Sequence, residues 1–169
     1  EDCIDVPENT EHTMYIDLPP ALMKQYRDFA WDSMIDTNDG ETINAIHAGA
    51  KVKKLLQLCT GAIYNEEGIS KVFHTQRYDL VMELVASRKH SLVAFNWRHE
   101  RIELCKLADK LGIEYAYIDG TVPVARRTEI VRDYQAGKLQ VIFCHPQAAG
   151  HGLTLTKGTT TIWCSPSYN

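Results

Sequence analysis

The sequence predicts an α/β fold: a three-layer parallel sheet with helices on both faces, preceded by an N-terminal helical annex. Three observations predict it. From Ser91 onward, short apolar segments alternate with amphipathic ones in the order β-α-β-α-β-turn-β, the pattern of a parallel sheet. The strand segments are β-branched and aromatic runs, as expected of strands covered on both sides. The helical segments carry stop and start signals, Gly112 and Gly137 after two helices and Pro123 near the start of another. With 169 residues, 44% of them hydrophobic and 24% charged, the chain is long enough to bury a core of ordinary size.

In order, Glu1 to Asn9 is a polar lead-in, and His12 to Leu18 alternates as a strand. Pro19-Pro20 ends it and opens a helix, because proline is tolerated in a first helical turn. Ala21 to Ile35 places Leu22, Tyr26, Phe29, Ala30 and Ile35 at helical spacing, and Thr37 to Gly40 is a turn. A helix is expected from Thr42 to about Thr60. Ile46, Val52, Leu55, Leu56 and Cys59 would form its buried face, with Lys51, Lys53 and Lys54 outside. Those lysines suit either phosphate contact or an ordinary solvated face. Gly61 to Gly68 reads as a loop and His74 to Ser87 as a helix. Ser91 to Phe95 is a buried strand. Glu100 to Leu111 is a helix with Ile102, Leu104, Leu107, Ala108 and Leu111 inward, and Glu114 to Ile118 is the next strand. Thr121 is expected to cap a helix running to Ala136. A strand from Leu139, a Gly-rich turn and a last strand from Thr160 to Cys164 complete the chain. The division this suggests is one domain, with residues 1–70 a lead-in strand and helical annex and residues 71–169 the α/β core.

The charge balance of −4 argues against a uniformly basic surface but leaves room for a local basic patch. Cys3, Cys59, Cys105, Cys144 and Cys164 form no CxxC pair and no zinc spacing, so they read as reduced thiols of a cytosolic protein, small apolar residues in most cases. A signal peptide and a membrane-length apolar run are both absent from the sequence, so a secreted or membrane-spanning protein is not expected. No metal ligand set is proposed.

The chemistry concentrates in His145 to Thr156, HPQAAGHGLTLT. Pro146, Ala148, Ala149, Gly150 and Gly152 allow close backbone approach directly after a buried strand, where open α/β sheets place phosphate ligands. A tight turn with no ligand is the alternative reading. Two further loops follow strands in the same way, Asn96-Trp97-Arg98-His99 and Asp119-Gly120-Thr121. In a parallel sheet all three share one edge, and their amides, hydroxyls and arginine suit a polyanion. Trp97 suits base stacking or simple packing, and His151 suits turn packing better than a basic role. A standalone hydrolase built on Cys144 or His145 has no nucleophile elbow to support it.

Taken together these segments resemble the second RecA-like lobe of superfamily-two helicases, and more closely the Swi/Snf-type DNA-dependent ATPases. SLVAFNWR resembles the family's motif IV, IDGTVPVARR the segment DG(S/T)…R that follows it, and HPQAAGHGLTLT motif V. VKKLLQLCTGAIY, Val52 to Tyr64, is similar to a helix-loop upstream of that lobe, and Thr13 to Ile35 is more loosely similar. Ala149, His145 and Thr154 stand where the family often has glycine, serine and asparagine. The GHGL form of motif V is similar to phage and bacterial members.

The resemblance implies a RecA-like fold and a C-terminal motor lobe of an ATP-dependent, DNA-stimulated helicase or translocase. It implies backbone contact with DNA, expected as duplex, from Asn96, Arg98, Gly120, Thr121 and Thr154. It implies an ATP-facing turn at Gly150 and Gly152. One of Arg126 and Arg127 would anchor the loop after Gly120, a salt bridge being the alternative. ATP and Mg²⁺ would be held in the parent protein, with a first lobe as partner. Within these 169 residues there is no G-x-x-x-x-G-K-[ST] phosphate loop, no DE-x-H-type metal motif and no Q-x-x-R-x-x-R arginine-finger motif. The sequence therefore looks like a piece of a longer bacterial or phage protein, with no catalytic residue of its own and inactive alone. A non-catalytic RecA-like adaptor is the competing expectation.

Overall fold

The computed structural model describes residues 8–37, 39–150 and 153–165. The elements in order are α1 (Pro20–Asp32), β1 (Met34–Asp36), β2 (Thr42–Asn44), α2 (Ala48–Cys59), β3 (Ala62–Tyr64), β4 (Ser70–Val72), α3 (Gln76–Ala86), β5 (Ser91–Ala94), α4 (Arg98–Leu111), β6 (Tyr115–Ile118), α5 (Val124–Gln135), β7 (Val141–Cys144), α6 (Pro146–Ala149) and β8 (Thr160–Trp163). Strands β6-β7-β5-β8 form one sheet in which every pairing is parallel. The expected α/β architecture is therefore present.

The central strand explains the layers. All four residues of β7 are buried, and successive side chains point to opposite faces. Val141 and Phe143 join a cluster with Tyr78, Val81, Met82 and Val85 of α3 and Leu104 and Ala108 of α4. Ile142 and Cys144 join a second cluster with Ile130 and Tyr134 of α5. So α3 and α4 cover one face and α5 the other. The chain passes from β5 over β7 to β6 through α4, then returns to β7 through α5 on the opposite side, as right-handed crossovers in opposite directions require. Burial raises the Cys144 thiol to about 11, so it stays neutral and packs as an apolar group.

The first seventy residues are less helical than expected. His12 to Leu18 is neither helix nor strand and is largely exposed. The single helix expected from Thr42 is instead a strand followed by a shorter helix. Thr42–Asn44 pairs antiparallel with Met34–Asp36, and this buries Ile35 against Ile43. Helix α2 starts only after His47, whose Nδ1 accepts the Ala50 N–H at 3.1 Å. Ile46, expected inside, is 90% exposed ahead of that helix. Lys54, expected outside, is half-buried and donates to the Tyr64 carbonyl. The expected loop at Gly61 to Gly68 holds the hairpin β3–β4, closed where Asn65 Oδ1 accepts the Ile69 N–H at 2.8 Å. Leu22, Phe29, Ile35, Ile43, Leu58 and Ile63 form a third, separate apolar cluster here.

In the sheet region the differences are smaller. Helix α4 begins at Arg98 rather than Glu100, and its Ile102 and Leu111 face outward. Thr121 does not cap α5; Pro123 occupies that position, because the Thr121 side chain is engaged with Asp119. The Gly-rich turn is a short helix, α6. No helix among the described residues is long and apolar enough to cross a membrane.

Candidate functional site

Strand register builds the site. Ala94 pairs with Cys144 and with Trp163, and Cys144 with Ile118, so the four strands end level. Asn96–His99, Asp119–Thr121, His145–Gly150 and Cys164–Ser165 therefore emerge along one rim. The ladder extends one residue further: the His145 N–H donates to Ile118 O at 2.9 Å and Phe95 N–H to Cys144 O at 3.0 Å.

At the β5 end, Asn96 Nδ2 donates to Ser165 O at 2.8 Å and to Ser165 Oγ at 3.1 Å. The amide expected to face DNA is thus turned sideways, tying the exit of β5 to the exit of β8. Beneath it, Glu100 is fully buried. Its Oε2 accepts the N–H groups of Asn96 (2.8 Å) and Trp97 (2.9 Å) and the Ser165 hydroxyl (3.0 Å). Burial pushes the Glu100 carboxyl up, and the two backbone N–H bonds pull it back. This is half a capping box, a glutamate reaching back to the start of its own helix. Trp97 stands where Ser or Thr would normally advertise it, so sequence reasoning passed over Glu100. Trp97 itself is half-buried.

Arg98 is exposed and donates through Nη2 to Gly68 O at 2.9 Å, reaching the β3–β4 turn. Among the described residues no carboxylate lies within ion-pair distance of it. His99 is buried between its neighbours, with Nε2 3.0 Å from Thr60 Oγ1 and Nδ1 3.1 Å from Tyr64 OH.

At the β6 end, Asp119 organises the loop. Oδ1 accepts the Thr121 N–H at 2.9 Å and the Thr121 hydroxyl at 2.6 Å, and Oδ2 pairs with Arg101 Nη1 at 2.6 Å. Burial opposes ionisation of Asp119, but the bonds from Thr121 and Arg101 outweigh it and hold the carboxyl below its usual range. Arg101 also lies over the Tyr117 ring, 4.5 Å from its centroid. The Asp-Gly-Thr sequence carries the signal of such an Asx turn. Gly120 and Thr121 are exposed, and a side chain added at Gly120 would meet open space.

Of the two arginines on α5, Arg127 is the loop anchor, bonded to backbone carbonyls: Nε to Val122 O at 2.8 Å, Nη2 to Asp119 O at 3.0 Å and Nη1 to Ala148 O at 3.0 Å. Arg126 takes the other expected form, an exposed ion pair with Glu129 at 2.8 Å.

At the β7 end, Gly150 is exposed and closes α6 with its N–H on Pro146 O at 2.7 Å; an added Cβ would meet that same oxygen at 2.7 Å. His151 and Gly152 lie outside the described residues. Thr154 is exposed, between Leu153 and Leu155, which pack against the cluster that holds Ile118 and Val122. Two residues later Thr156 Oγ1 accepts from Gln135 Nε2 at 2.8 Å at the last turn of α5, and Thr159 N–H donates to His90 O at 3.3 Å near the opposite sheet edge. The structure therefore brings Asn96, Arg98, Gly120, Thr121 and Gly150 to one rim.

Comparison with known proteins fits this arrangement. A model of the helicase conserved C-terminal domain matches residues 76–169. The chain is 26% identical over 163 residues to "Putative protein p41" of Acyrthosiphon pisum secondary endosymbiont phage 1, covering 93% of this chain and 32% of that protein. It is 32% identical over 91 residues to the SNF2 domain-containing protein ENL1 of Oryza sativa subsp. japonica, covering 53% of this chain and 9% of that one. The chain thus spans about a third of the phage protein and about a tenth of the rice protein. A crystal structure of the C-terminal part of the Fun30 ATPase domain superposes with a TM-score of 0.53 at 16% identity, covering 57% of this chain and 33% of that one. With the motif segments in order along one rim of a parallel sheet and the domain model spanning that sheet, the chain belongs to the helicase conserved C-terminal domain family and has a RecA-like fold.

Proposed function

We propose that this chain is the second motor lobe of an ATP-dependent, DNA-stimulated translocase, residues 1–70 forming its annex and residues 71–169 its α/β core, working in the cytoplasm of a bacterial or phage-infected cell. The observation that carries the reading is the level ending of β6, β7 and β5, which sets three family motifs side by side. Arg98, Gly120 and Thr121 are the contacts to the DNA backbone. They are exposed, and Arg98 offers a guanidinium free of carboxylate partners among the described residues. Such contacts hold the strand without reading its sequence. Asn96 supports them by holding its loop to Ser165. Thr154, exposed after the same turn, is proposed as a further backbone contact.

Gly150 faces the nucleotide, and the motif assigns the same role to Gly152. What supports that limited role is the run of small residues at the end of a buried strand, which lets a phosphate approach closely; the Ala148, Ala149 and Gly150 N–H groups are themselves bonded within α6. ATP supplies the phosphoryl group and Mg²⁺ its charge neutralisation; the phosphate loop and metal carboxylates belong to a first lobe. This lobe's share is to shape one wall of the cleft and carry the DNA grip.

The test is titration of a labelled DNA duplex across a salt series. Binding should weaken steeply with salt, and Arg98→Ala should lower the slope by about one released counterion. The chain alone should not hydrolyse ATP, and supplying a first lobe together with the Q-x-x-R-x-x-R segment should give DNA-stimulated hydrolysis. Salt-independent binding, or turnover by the chain alone, would refute the reading. The pairing of Arg101 with Asp119 and Arg126 with Glu129 lowers the free positive charge of the rim, and this favours one alternative, a non-catalytic RecA-like adaptor. That alternative expects no DNA binding, and no hydrolysis after a first lobe and the Q-x-x-R-x-x-R segment are supplied.

A further inference from the structure

A single guanidinium joins two of the three rim segments. Arg127 donates to Asp119 O and Val122 O on one side and to Ala148 O on the other, at 2.8 to 3.0 Å. The two segments already meet at their base, where the His145 N–H caps the ladder on Ile118 O. Ala148 and Ala149 also pack against the apolar cluster that holds Ile118 and Val122, contacts without direction. Arg127 adds directional bonds there. It is rooted on α5, so it holds both tips relative to the helix that covers this face of the sheet. The planar fork matters: three acceptors are met by three N–H groups fixed in one plane, which a lysine ammonium on a flexible stem does not reproduce.

We propose that Arg127 is a positioning residue that couples Asp119–Val122 to Pro146–Gly150, so that a displacement of the first segment is passed to the second. The identity of what moves them, DNA at the first and nucleotide at the second, rests on the function proposed above. The coupling itself does not. A grip on DNA would then reach the nucleotide-facing turn within one lobe, across two hydrogen-bonded links and no hinge.

The test is a double-mutant cycle on the chain itself, read by amide hydrogen exchange at Ala149 and Gly150, whose N–H groups bond His145 O and Pro146 O. Asp119→Asn disturbs the first segment, and Arg127→Lys removes the fork while keeping the charge. In the wild-type background Asp119→Asn should speed exchange at Gly150 by about threefold or more, the lower range for groups in contact. In the Arg127→Lys background it should have no further effect there. Additive effects, or acceleration spread equally over Ile142 and Phe143 of β7, would overturn the coupling and leave Arg127 a general stabiliser. If Arg127→Lys does not fold, wild type carrying Thr121→Ala supplies the measurement: Gly150 exchange must respond, and an unchanged rate refutes the proposal. Adding duplex DNA gives a separate arm. Failure of DNA to bind defeats the functional reading alone, whereas a null cycle defeats the coupling alone.

Discussion

His99 and Glu100 are adjacent, both buried, and shifted in opposite ways by the same cause. Burial lowers His99 to about 4 and raises the Glu100 carboxyl. In the unfolded chain His99 binds a proton near 6.5 and in the folded chain only near 4. Its neutral, bonded form therefore contributes stability that is present above pH 6.5 and is lost as pH falls toward 4. Glu100 works in the other direction: with a raised folded value, it favours the fold at low pH and costs stability as pH rises through its range. Wild type mixes the two, so the informative comparison is with His99→Gln. Between about pH 7 and about pH 5 the His99 part of the unfolding free energy should shrink by about 2 kcal/mol. His99→Gln should lack that share, as urea denaturation at the two pH values would reveal. Equal slopes for variant and wild type would mean that His99 is not held neutral. None of this was legible in NWRHE, because the partners Thr60 and Tyr64 lie 39 and 35 positions away. The exposed members of the rim, Arg98 and Thr121, were legible because their loops directly follow apolar strands.

The strands and helices of the sheet region were legible in outline, whereas the three-residue strands, the start of α2 and the unstructured His12 to Leu18 were not. The run VIFC is buried throughout, the helices α3, α4 and α5 carry a helical apolar period, and Gly112 and Gly137 mark the ends of α4 and α5. By contrast, β1 to β4 hold three residues each, too few for a period of two to stand out. Their pairing is decided by tertiary burial of Ile35, Ile43 and Ile63. Glycine chemistry at the second hairpin gives a contrast to measure. Gly61 has φ +108°, and a Cβ there would lie 2.4 Å from His74 O, the backbone whose N–H, with that of Phe73, bonds Gly61 O. Gly68 has φ +77° but open space around it. Gly61→Ala should therefore cost about 3 kcal/mol or more, combining strain with a backbone clash. Gly68→Ala should cost only about 1 kcal/mol. Thermal unfolding of the two variants decides it; equal losses would mean that His74 moves aside freely.

Across the whole molecule, apolar packing and polar bonding divide the work. The annex has its own cluster around Phe29 and Leu58, and the sheet has two of its own. Among the described residues several hydrogen bonds span them: Tyr78 OH to Thr60 O, His99 to Thr60 and Tyr64, Arg98 to Gly68 O, and Arg77, whose Nη1 bonds Cys164 O at 2.8 Å and whose Nη2 bonds Cys59 O at 3.2 Å. Directional bonds fix orientation but each contributes only about 1 kcal/mol net, so the annex should open before the sheet does. Native-state hydrogen exchange should give the amides of α2 and β3 a lower opening free energy than those of β5 and β7. Tyr64→Phe removes the hydroxyl that both accepts the His99 N–H and meets its ring. It should lower the α2 and β3 values by about 1 to 2 kcal/mol, because the buried His99 nitrogen loses its partner, and should leave β7 unchanged. A uniform fall over all elements would instead make annex and sheet one cooperative unit, and then Arg98, gripping the hairpin turn at Gly68, would be held as rigidly as the sheet that carries it.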